Sequence, residues 1–222
     1  MVTNQKIDLV ITDDHKLFRK GLSSLLSDFE FIGNIYEASN GIELLELLQT
    51  VDSKPDIILL DLQMPEMDGI TANNELKRIF PDIKVIILTM EDDAQFILYM
   101  IKQGVNGYLM KDADPDELAA AIKSVIEKDF YFSDNISQLI YRNLNNKKKK
   151  SSGLFIQKFT PREIQTLELI CKEYTAAEIA EEMNLSVRTI EGYRSNLLDK
   201  SGAKNIAGLV VYALTNDLLN LE

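Results

Sequence analysis

Short apolar runs that alternate with helical stretches constrain the fold of roughly the first 130 residues more than any other feature. In the run that reaches Asp61, four apolar residues follow one another without polar alternation, as in a strand buried on both faces of a parallel sheet. The predicted strands are Ile7–Thr12, Phe31–Ala38, Asp56–Leu60, Lys84–Thr89 and Gly107–Met110. Because helical patterns separate them, the chain predicts a doubly wound, five-stranded parallel α/β sheet.

Helices are predicted between and after these strands. The clearest are Gly41–Gln49, Thr71–Phe80 and Ala94–Gln103. After the fifth strand, Asp114 and Glu117 have the spacing of a capping box, with Pro115 at the first helical position. These signals predict a helix that closes the first domain.

Polar residues follow the predicted strands at their carboxyl ends. Asp13 and Asp14 follow the first strand, Asp61 the third and Lys111 the fifth, while Thr89 ends the fourth. In a parallel sheet these ends share one edge, so three carboxylates that repel one another are expected to bind a hard cation such as Mg²⁺. A lysine and a hydroxyl beside them would stabilise a phosphoryl group on Asp61. The alternative is a solvated acidic rim.

Four motifs carry a resemblance to a known family. They are DDH at Asp13–His15, DLQMPEMDG at Asp61–Gly69, LT at Leu88–Thr89 and GYLMKD at Gly107–Asp112. Together they resemble the receiver domain of two-component response regulators, which has a flavodoxin-like fold.

The resemblance implies a phosphotransfer site. Asp61 would accept a phosphoryl group from a partner histidine kinase, assisted by Thr89 and Lys111. Mg²⁺ would be held by Asp14, Asp61 and the carbonyl of Gln63, with Asp13 acting through water. His15, the single histidine, is instead expected to pair with acids or to cap a helix.

The resemblance also implies a switch. Thr89 and Tyr108 would reorient on phosphorylation, with Tyr108 turning inward as Thr89 moves towards the phosphoryl group. One departure is Met90, which follows the threonine where a small residue is frequent, and which would slow access by small phosphodonors.

The last part of the chain is short and predicted to be helical. Thr160–Glu163 and Thr175–Glu178 are capping boxes, and Ser186 is expected to cap a third helix that runs to about Lys200. The tight turn at Asn184 and Leu185 predicts a helix-turn-helix, whose second helix enters the major groove of DNA.

This region resembles the LuxR/NarL/FixJ effector domain. The resemblance rests on FTPRE at Phe159–Glu163, on Ala176–Asn205 and on LVVYAL at Leu209–Leu214. It departs from the family at Glu173, where glycine is usual, and at Ser201, where leucine usually packs. The implied DNA-binding residues are Arg188, Thr189, Glu191, Gly192, Arg194, Ser195, Lys200 and Lys204.

The sequence therefore predicts two domains and a linker. A receiver domain is expected over 1–132, a linker with a short helix at Ile136–Leu144 over 133–154, and a DNA-binding domain over 155–222. Residues 1–146 carry 13 basic and 25 acidic side chains, and residues 151–222 carry 7 and 10. This acidic balance argues mildly against DNA binding and favours one alternative, a signalling protein whose last domain binds protein.

The expected function is phosphorylation-controlled transcription, with a sensor histidine kinase, double-stranded promoter DNA and a second copy of the chain as partners. A hydrolytic enzyme is not expected, because the chain lacks a Ser/His or metal-ligand constellation for one. The chain has no apolar run long enough to span a bilayer and no signal pattern, and its single cysteine, Cys171, fits a reducing environment. A cytoplasmic protein without membrane contact is therefore expected.

Overall fold

A six-stranded, entirely parallel sheet organises the first domain of the computed structural model, which describes residues 6–90, 93–133, 136–138, 159–216 and 218. The strands lie in the order β2-β1-β3-β4-β5-β6. Their bounds are β1 Ile7–Thr12, β2 Ile32–Ala38, β3 Ile57–Leu60, β4 Lys84–Thr89, β5 Gly107–Met110 and β6 Tyr131–Phe132. The order changes direction between β1 and β3, which is where open α/β sheets place their ligand crevice.

The sixth strand corrects the prediction of five. In β6, Tyr131 and Phe132 pair in parallel with Gly107 and Tyr108 of β5. Two residues are too few to show a strand periodicity, so no sequence pattern could reveal this pairing. The remaining strands lie where they were predicted, within one residue at each end.

Helices cover both faces of this sheet. They are α1 Lys16–Ser27, α2 Gly41–Thr50, α3 Gly69–Ile79, α4 Ala94–Lys102 and α5 Pro115–Lys128. Pro115 occupies the first turn of α5 as predicted, but the predicted capping box there is wrong, since Asp114 makes no side-chain capping hydrogen bond. Pro115 itself favours the helix start, because it has no N–H to satisfy and its φ is fixed near the helical value.

Four helices form the part of the second domain that the structure describes, residues 159–216 and 218. They are α6 Pro161–Cys171, α7 Ala176–Glu182, α8 Val187–Ser201 and α9 Ile206–Thr215. Both predicted capping boxes are present, and the hydroxyl of Ser186 accepts from the N–H of Thr189 at the start of α8. At Ser201, where leucine is usual, the hydroxyl donates to the carbonyl of Leu198 in the last turn of α8.

The position of Glu173 explains why its departure from glycine matters. Its φ of 63° lies in the left-handed region, which glycine adopts without strain. Its carboxylate lies 3.0 Å from the ammonium of Lys128 in the first domain. Glu173 therefore adopts a backbone conformation that glycine would adopt more easily, and its side chain forms an ion pair between the domains.

The two domains contact each other through α4 and α9. Asn205, at the start of α9, donates to the carbonyls of Gly104 and Val105 at 2.8 and 3.0 Å. Buried side chains of both helices, including Ile101 and Ile206, belong to one continuous apolar cluster. The domains are thus packed together and not merely connected.

Most of the region between the domains lies outside the described residues. That includes the predicted polar segment Asn145–Gly153 and all of the helix predicted at Ile136–Leu144 except residues 136–138, which are helical. Among the described helices, none combines the length and the apolar character that a membrane span requires.

Candidate functional site

Asp61 lies at the carboxyl end of β3, where the loop that follows passes close to its backbone. A Cβ on Gly69 would lie 2.1 Å from the carbonyl oxygen of Asp61, so only glycine fits at that position. The N–H of Gly69 donates to the carbonyl of Leu62, and Asp68 caps α3 by accepting from Thr71. This loop holds the Asp61 carboxylate at the edge of the sheet.

The structure brings the predicted acids and Lys111 together. The ammonium of Lys111 lies 2.7 Å from Oδ2 of Asp13 and 2.8 Å from Oδ2 of Asp61. Asp13 and Asp61 are 2% and 3% exposed, whereas Asp14 faces solvent. The second oxygen of Asp61 accepts from the N–H of Leu62 at 2.8 Å. The buried carboxylates of Asp13 and Asp61 therefore share the ammonium group of Lys111.

The electrostatics of this group leave an excess of negative charge. Burial raises the pKa of Asp61, and the neighbouring Asp13 adds to this effect, while Lys111 opposes it. Burial alone would lower the pKa of Lys111, but its contacts with Asp13 and Asp61 outweigh burial and raise that pKa. A divalent cation beside the group would help keep Asp61 ionised.

The donor set fits a hard cation. Oxygen or nitrogen ligand atoms from Asp13, Asp14, His15 and Asp61 all lie within 4.8 Å of one another. Lys111 apart, the Oδ2 atoms of Asp13 and Asp61 have no hydrogen-bond partner among the described residues. Three carboxylates against one ammonium match the charge and oxygen preference of Mg²⁺. Gln63, the fourth predicted ligand, is exposed in the loop after Asp61.

His15 pairs with acids as predicted and does not cap its helix. Its Nδ1 lies 2.8 Å from Asp14 and 3.3 Å from Asp13, and its own backbone N–H donates to Asp13. It precedes α1 but forms no side-chain capping hydrogen bond. His15 therefore belongs to the rim of the acidic pocket.

Thr89 and Tyr108 lie on the neighbouring strands β4 and β5 and are both buried. Tyr108 is 0% exposed, so its side chain already points into the protein in this arrangement. Met90, beside Thr89, is 68% exposed. A methionine therefore stands at the solvent side of the strand ends, where it was expected to restrict access.

Most predicted DNA-binding residues lie on the outer face of α8. Arg188, Glu191, Gly192 and Ser195 are exposed, and a Cβ added to Gly192 would meet no atom within 4 Å. Thr189 is partly exposed, and its hydroxyl is hydrogen-bonded to that of Ser186 at the helix start. These residues share one surface, as a reading face requires.

Two of the predicted basic DNA contacts, Arg194 and Lys204, already contact the first domain. Arg194 is only 12% exposed and forms ion pairs with Glu191 on its own helix and with Asp129 of the first domain. Lys204 is within hydrogen-bonding distance of Gln103 of the first domain.

Lys200 is engaged inside its own domain. Its ammonium lies 2.8 and 2.7 Å from the two oxygens of the buried Glu163. No sequence signal indicates the pairing of Lys200 with Glu163 or of Arg194 with Asp129, because in each case the partner is distant in the sequence.

Comparisons with known proteins agree with both halves of the fold. Residues 9–123 match the response regulator receiver domain, and residues 157–213 match the bacterial regulatory proteins of the luxR family. The transcriptional regulatory protein DegU of Brevibacillus brevis is 31% identical to this chain, over 97% of this chain and 96% of that protein. The oxygen regulatory protein NreC of Staphylococcus carnosus (strain TM300) is 31% identical, over 96% and 99%.

Solved structures show the same architecture. The RcsB response regulator of Salmonella typhimurium, studied for its conformational dynamism in DNA interaction, has a TM-score of 0.58 at 25% identity, over 94% of this chain and 98% of that chain. A complex of RcsB with DNA also gives a TM-score of 0.58, at 24% identity, over 95% and 99%, and it shows likeness of fold.

Proposed function

This chain belongs to the response regulators that carry a receiver domain and a LuxR-type DNA-binding domain, and we propose that phosphorylation of Asp61 controls its binding to DNA. In the proposed division the receiver covers residues 1–132 and the DNA-binding domain residues 155–222. The observation that carries the proposal is the buried carboxylate of Asp61, held by Lys111 beside two further acids at the carboxyl edge of the sheet.

The proposed reaction is phosphoryl transfer from a phosphohistidine of a sensor kinase. An oxygen of Asp61 forms a bond to phosphorus while the bond between phosphorus and the histidine nitrogen breaks. Lys111 stabilises the negative charge on the phosphoryl oxygens, and the hydroxyl of Thr89 is expected to donate to one of them. Asp14, Asp61 and the carbonyl of Gln63 would hold Mg²⁺, with Asp13 acting through water, and this ion supplies further charge neutralisation.

The outer face of α8 is proposed to read double-stranded promoter DNA. The short turn between α7 and α8 gives the geometry of a helix-turn-helix, and the residues of that face are exposed. RcsB, which shares this fold, interacts with DNA. Glu191, Gly192 and Ser195 are the proposed base contacts, and the neighbouring basic residues are the proposed phosphate contacts.

The contact between the domains suggests how the two activities are coupled. In this arrangement the receiver engages Arg194 and Lys204, which DNA phosphates would otherwise contact. We propose that a phosphoryl group on Asp61, sensed through Thr89 and the adjacent strand that carries Tyr108, weakens this contact. The released DNA-binding domain then binds DNA as part of a homodimer.

The test of this function is Asp61→Asn. The variant keeps the shape of the side chain but removes the nucleophilic carboxylate, so labelling by a kinase or a small phosphodonor in Mg²⁺ should be abolished. The matched control is Asp52→Asn, which changes an exposed aspartate in the loop before β3, at the opposite edge of the sheet. If Asp61→Asn were still labelled while Asp13→Asn were not, the assignment of Asp61 would be wrong.

A further inference from the structure

A cavity of about 520 Å³ lies between the two domains, where α8 faces the receiver. Four basic residues line it, Lys77 and Lys84 from the receiver and Arg194 and Lys204 from the DNA-binding domain. Its size is that of a small-molecule site. Three carboxylates, those of Asp82, Asp129 and Glu191, also line it, so the wall carries one more positive than negative charge.

Two of these cations already have carboxylate partners. Asp129 pairs with both Lys84 and Arg194, and Arg194 also pairs with Glu191 at 2.9 Å. Burial of Asp129 would raise its pKa, but Lys84 and Arg194 outweigh this and hold the pKa below its usual value. This part of the wall is therefore neutralised by the protein itself.

Lys77 and Lys204 differ, because the described residues offer them neutral acceptors within hydrogen-bonding distance but no carboxylate. Lys77 donates to the carbonyl of Ile83 at 2.8 Å and approaches Oδ1 of Asn106 at 3.4 Å. Lys204 approaches only the carbonyl and side-chain oxygens of Gln103, at 3.5 and 3.3 Å.

The stems of these two lysines converge at Gly104. A Cβ at Gly104 would lie 3.6 Å from Cγ of Lys77 and 3.3 Å from Cβ and Cδ of Lys204. Burial lowers the pKa of Lys77 to about 8, and the ammonium groups of Lys84 and Lys204 add to this effect, while the carboxylate of Asp82 opposes it. The arrangement in which the two domains are in contact, called the closed arrangement below, thus places like charges together at an interface. An anion of two charges would offset the repulsion between them.

We propose that this cavity binds a phosphate group, either free phosphate or a small phosphomonoester, between Lys77 of the receiver and Lys204 of the DNA-binding domain. Ammonium groups bind phosphate oxygens through charge-assisted hydrogen bonds. The hydroxyl of Ser195 also lines the cavity and can donate. Ile83, Leu198 and Ile206 form an apolar part of the wall, which would accommodate the organic part of an ester.

Such a ligand would stabilise the closed arrangement, since it contacts both domains. A second consequence rests on the proposed function. The same ligand would lower the affinity of the chain for DNA, because Lys204 and Arg194 cannot lie at the cavity and contact DNA phosphates at the same time. Binding of phosphate itself requires neither a phosphodonor nor DNA, so the site can be tested separately from phosphorylation control.

The experiment is isothermal titration of the full chain with inorganic phosphate, in buffer without Mg²⁺ and at constant ionic strength. Saturable binding of one phosphate per chain is expected. Lys77→Gln and Lys204→Gln should each weaken it about tenfold or more, the typical cost of losing one hydrogen bond to a charged group. Lys77→Arg, which keeps the charge, should largely retain binding.

Lys102→Gln is the matched control, because Lys102 is exposed on α4 and does not line the cavity. It should bind phosphate like the unaltered chain. Equal affinity in all variants, or no saturable binding, would overturn the proposal. A loss with Lys77→Gln but not with Lys204→Gln would also overturn it, since the site would then belong to the receiver alone.

A parallel titration with glycerol 3-phosphate distinguishes free phosphate from a phosphomonoester as the ligand. Tighter binding of the ester would show that the apolar wall contacts its organic part.

Discussion

The acidic pocket carries three carboxylates and one ammonium within a few ångströms, so its stability should depend on cations. Lys111 contacts Asp13 and Asp61 but is not placed against the exposed Asp14. A cation that binds the folded domain but not the unfolded chain raises the free energy of unfolding by mass action, about 2.7 kcal/mol at a hundredfold excess over its dissociation constant.

The first prediction at the scale of residues therefore concerns Asp14. Mg²⁺ should raise the melting temperature of the unaltered chain, and Asp14→Ala should remove most of that gain because the solvent-facing ligand is lost. Without Mg²⁺, Asp14→Ala should melt at the same temperature or higher, since one repelling charge is gone. Thermal unfolding with and without Mg²⁺ measures both effects, with Asp52→Ala as the control. An equal Mg²⁺ gain in Asp14→Ala would exclude Asp14 as a ligand.

Single residues show clearly where sequence reasoning works. Parallel strands bring their carboxyl ends to one edge, so residues directly after predicted strands, here Asp13, Asp61 and Lys111, were expected to meet there. The inward position of Tyr108 and the pairing of Lys200 with Glu163 do not follow. Each depends on rotamers and on packing between distant segments, which no local pattern reports.

Elements of the second domain are held together by Glu163, which acts in two ways. Its carboxylate accepts from the N–H of Thr160 at 2.7 Å, closing the capping box of α6, and it also binds the ammonium of Lys200 at the end of α8. Burial opposes ionisation, but the contacts with Lys200 and Thr160 outweigh it and hold the pKa of Glu163 below its usual value of 4.5. The side chain of Glu163 thus joins α6 to α8, the helix proposed to read DNA and called the recognition helix below.

We therefore predict that Glu163→Gln lowers the free energy of unfolding of this domain by about 1–3 kcal/mol at pH 7, the cost of weakening a hydrogen bond to a charged group. Because the folded pKa lies below the unfolded pKa, the stabilisation is complete above about pH 4.5 and is lost as the pH falls through the folded pKa. Denaturant titrations at pH 7 and in acid should show the difference shrinking. Glu182→Gln, on the exposed face of α7, is the control. A difference that did not change with pH would contradict the charged role of Glu163.

The recognition helix carries a second prediction, at Glu191. This acid is exposed on the reading face and pairs with Arg194 in the closed arrangement. A carboxylate there repels DNA in general but can accept from the amine of cytosine, a contact that carries about 1–3 kcal/mol of discrimination. Glu191→Ala should raise affinity for random duplex DNA and lower preference for the correct site.

Titrations of both duplexes across a salt series measure this, with Glu191→Gln separating the charge from the hydrogen bond. If the ratio of site to random affinity stayed the same in Glu191→Ala, Glu191 would not read a base. A last domain that binds protein and not DNA would show no salt-dependent binding to either duplex.

Elements were predictable where their signals were long or chemically distinct. The capping boxes at Thr160 and Thr175 combine two residues at fixed spacing, and both were confirmed. Strand β6 has two residues and no such signal, and it forms because α5 returns the chain beside β5. Asp114 has the spacing of a cap without the bond.

The arrangement of the whole molecule could not be predicted, because it depends on contacts between segments far apart in the chain. Asp129 and Arg194, the central pair, are 65 residues apart. The described contacts place the receiver against Arg194 and Lys204, so under the proposed function DNA and the receiver would compete for these two side chains. If the closed arrangement dominates before phosphorylation, the apparent affinity for DNA is reduced by the fraction of open molecules.

The last prediction is that Asp129→Asn opens the molecule without phosphorylation. Asp129 adopts a φ of 72°, a left-handed conformation that asparagine tolerates, so the variant should keep the end of α5 while losing the charge that holds Lys84 and Arg194. Unphosphorylated Asp129→Asn should then bind site DNA more tightly than the unaltered chain. The double variant Asp61→Asn/Asp129→Asn should do the same, although it has no phosphoryl acceptor.

Asp116→Asn is the matched control, because it removes an exposed charge from the first turn of the same helix. DNA-binding titrations of the four proteins at one ionic strength give the comparison. Both single variants remove one negative charge and so reduce general repulsion from DNA equally, and a gain of Asp129→Asn beyond that of Asp116→Asn is assigned to freeing Arg194 and its neighbours. Unchanged affinity in Asp129→Asn would show that the ion pair with Arg194 does not hold the domains together, and that the apolar contact between α4 and α9 is sufficient.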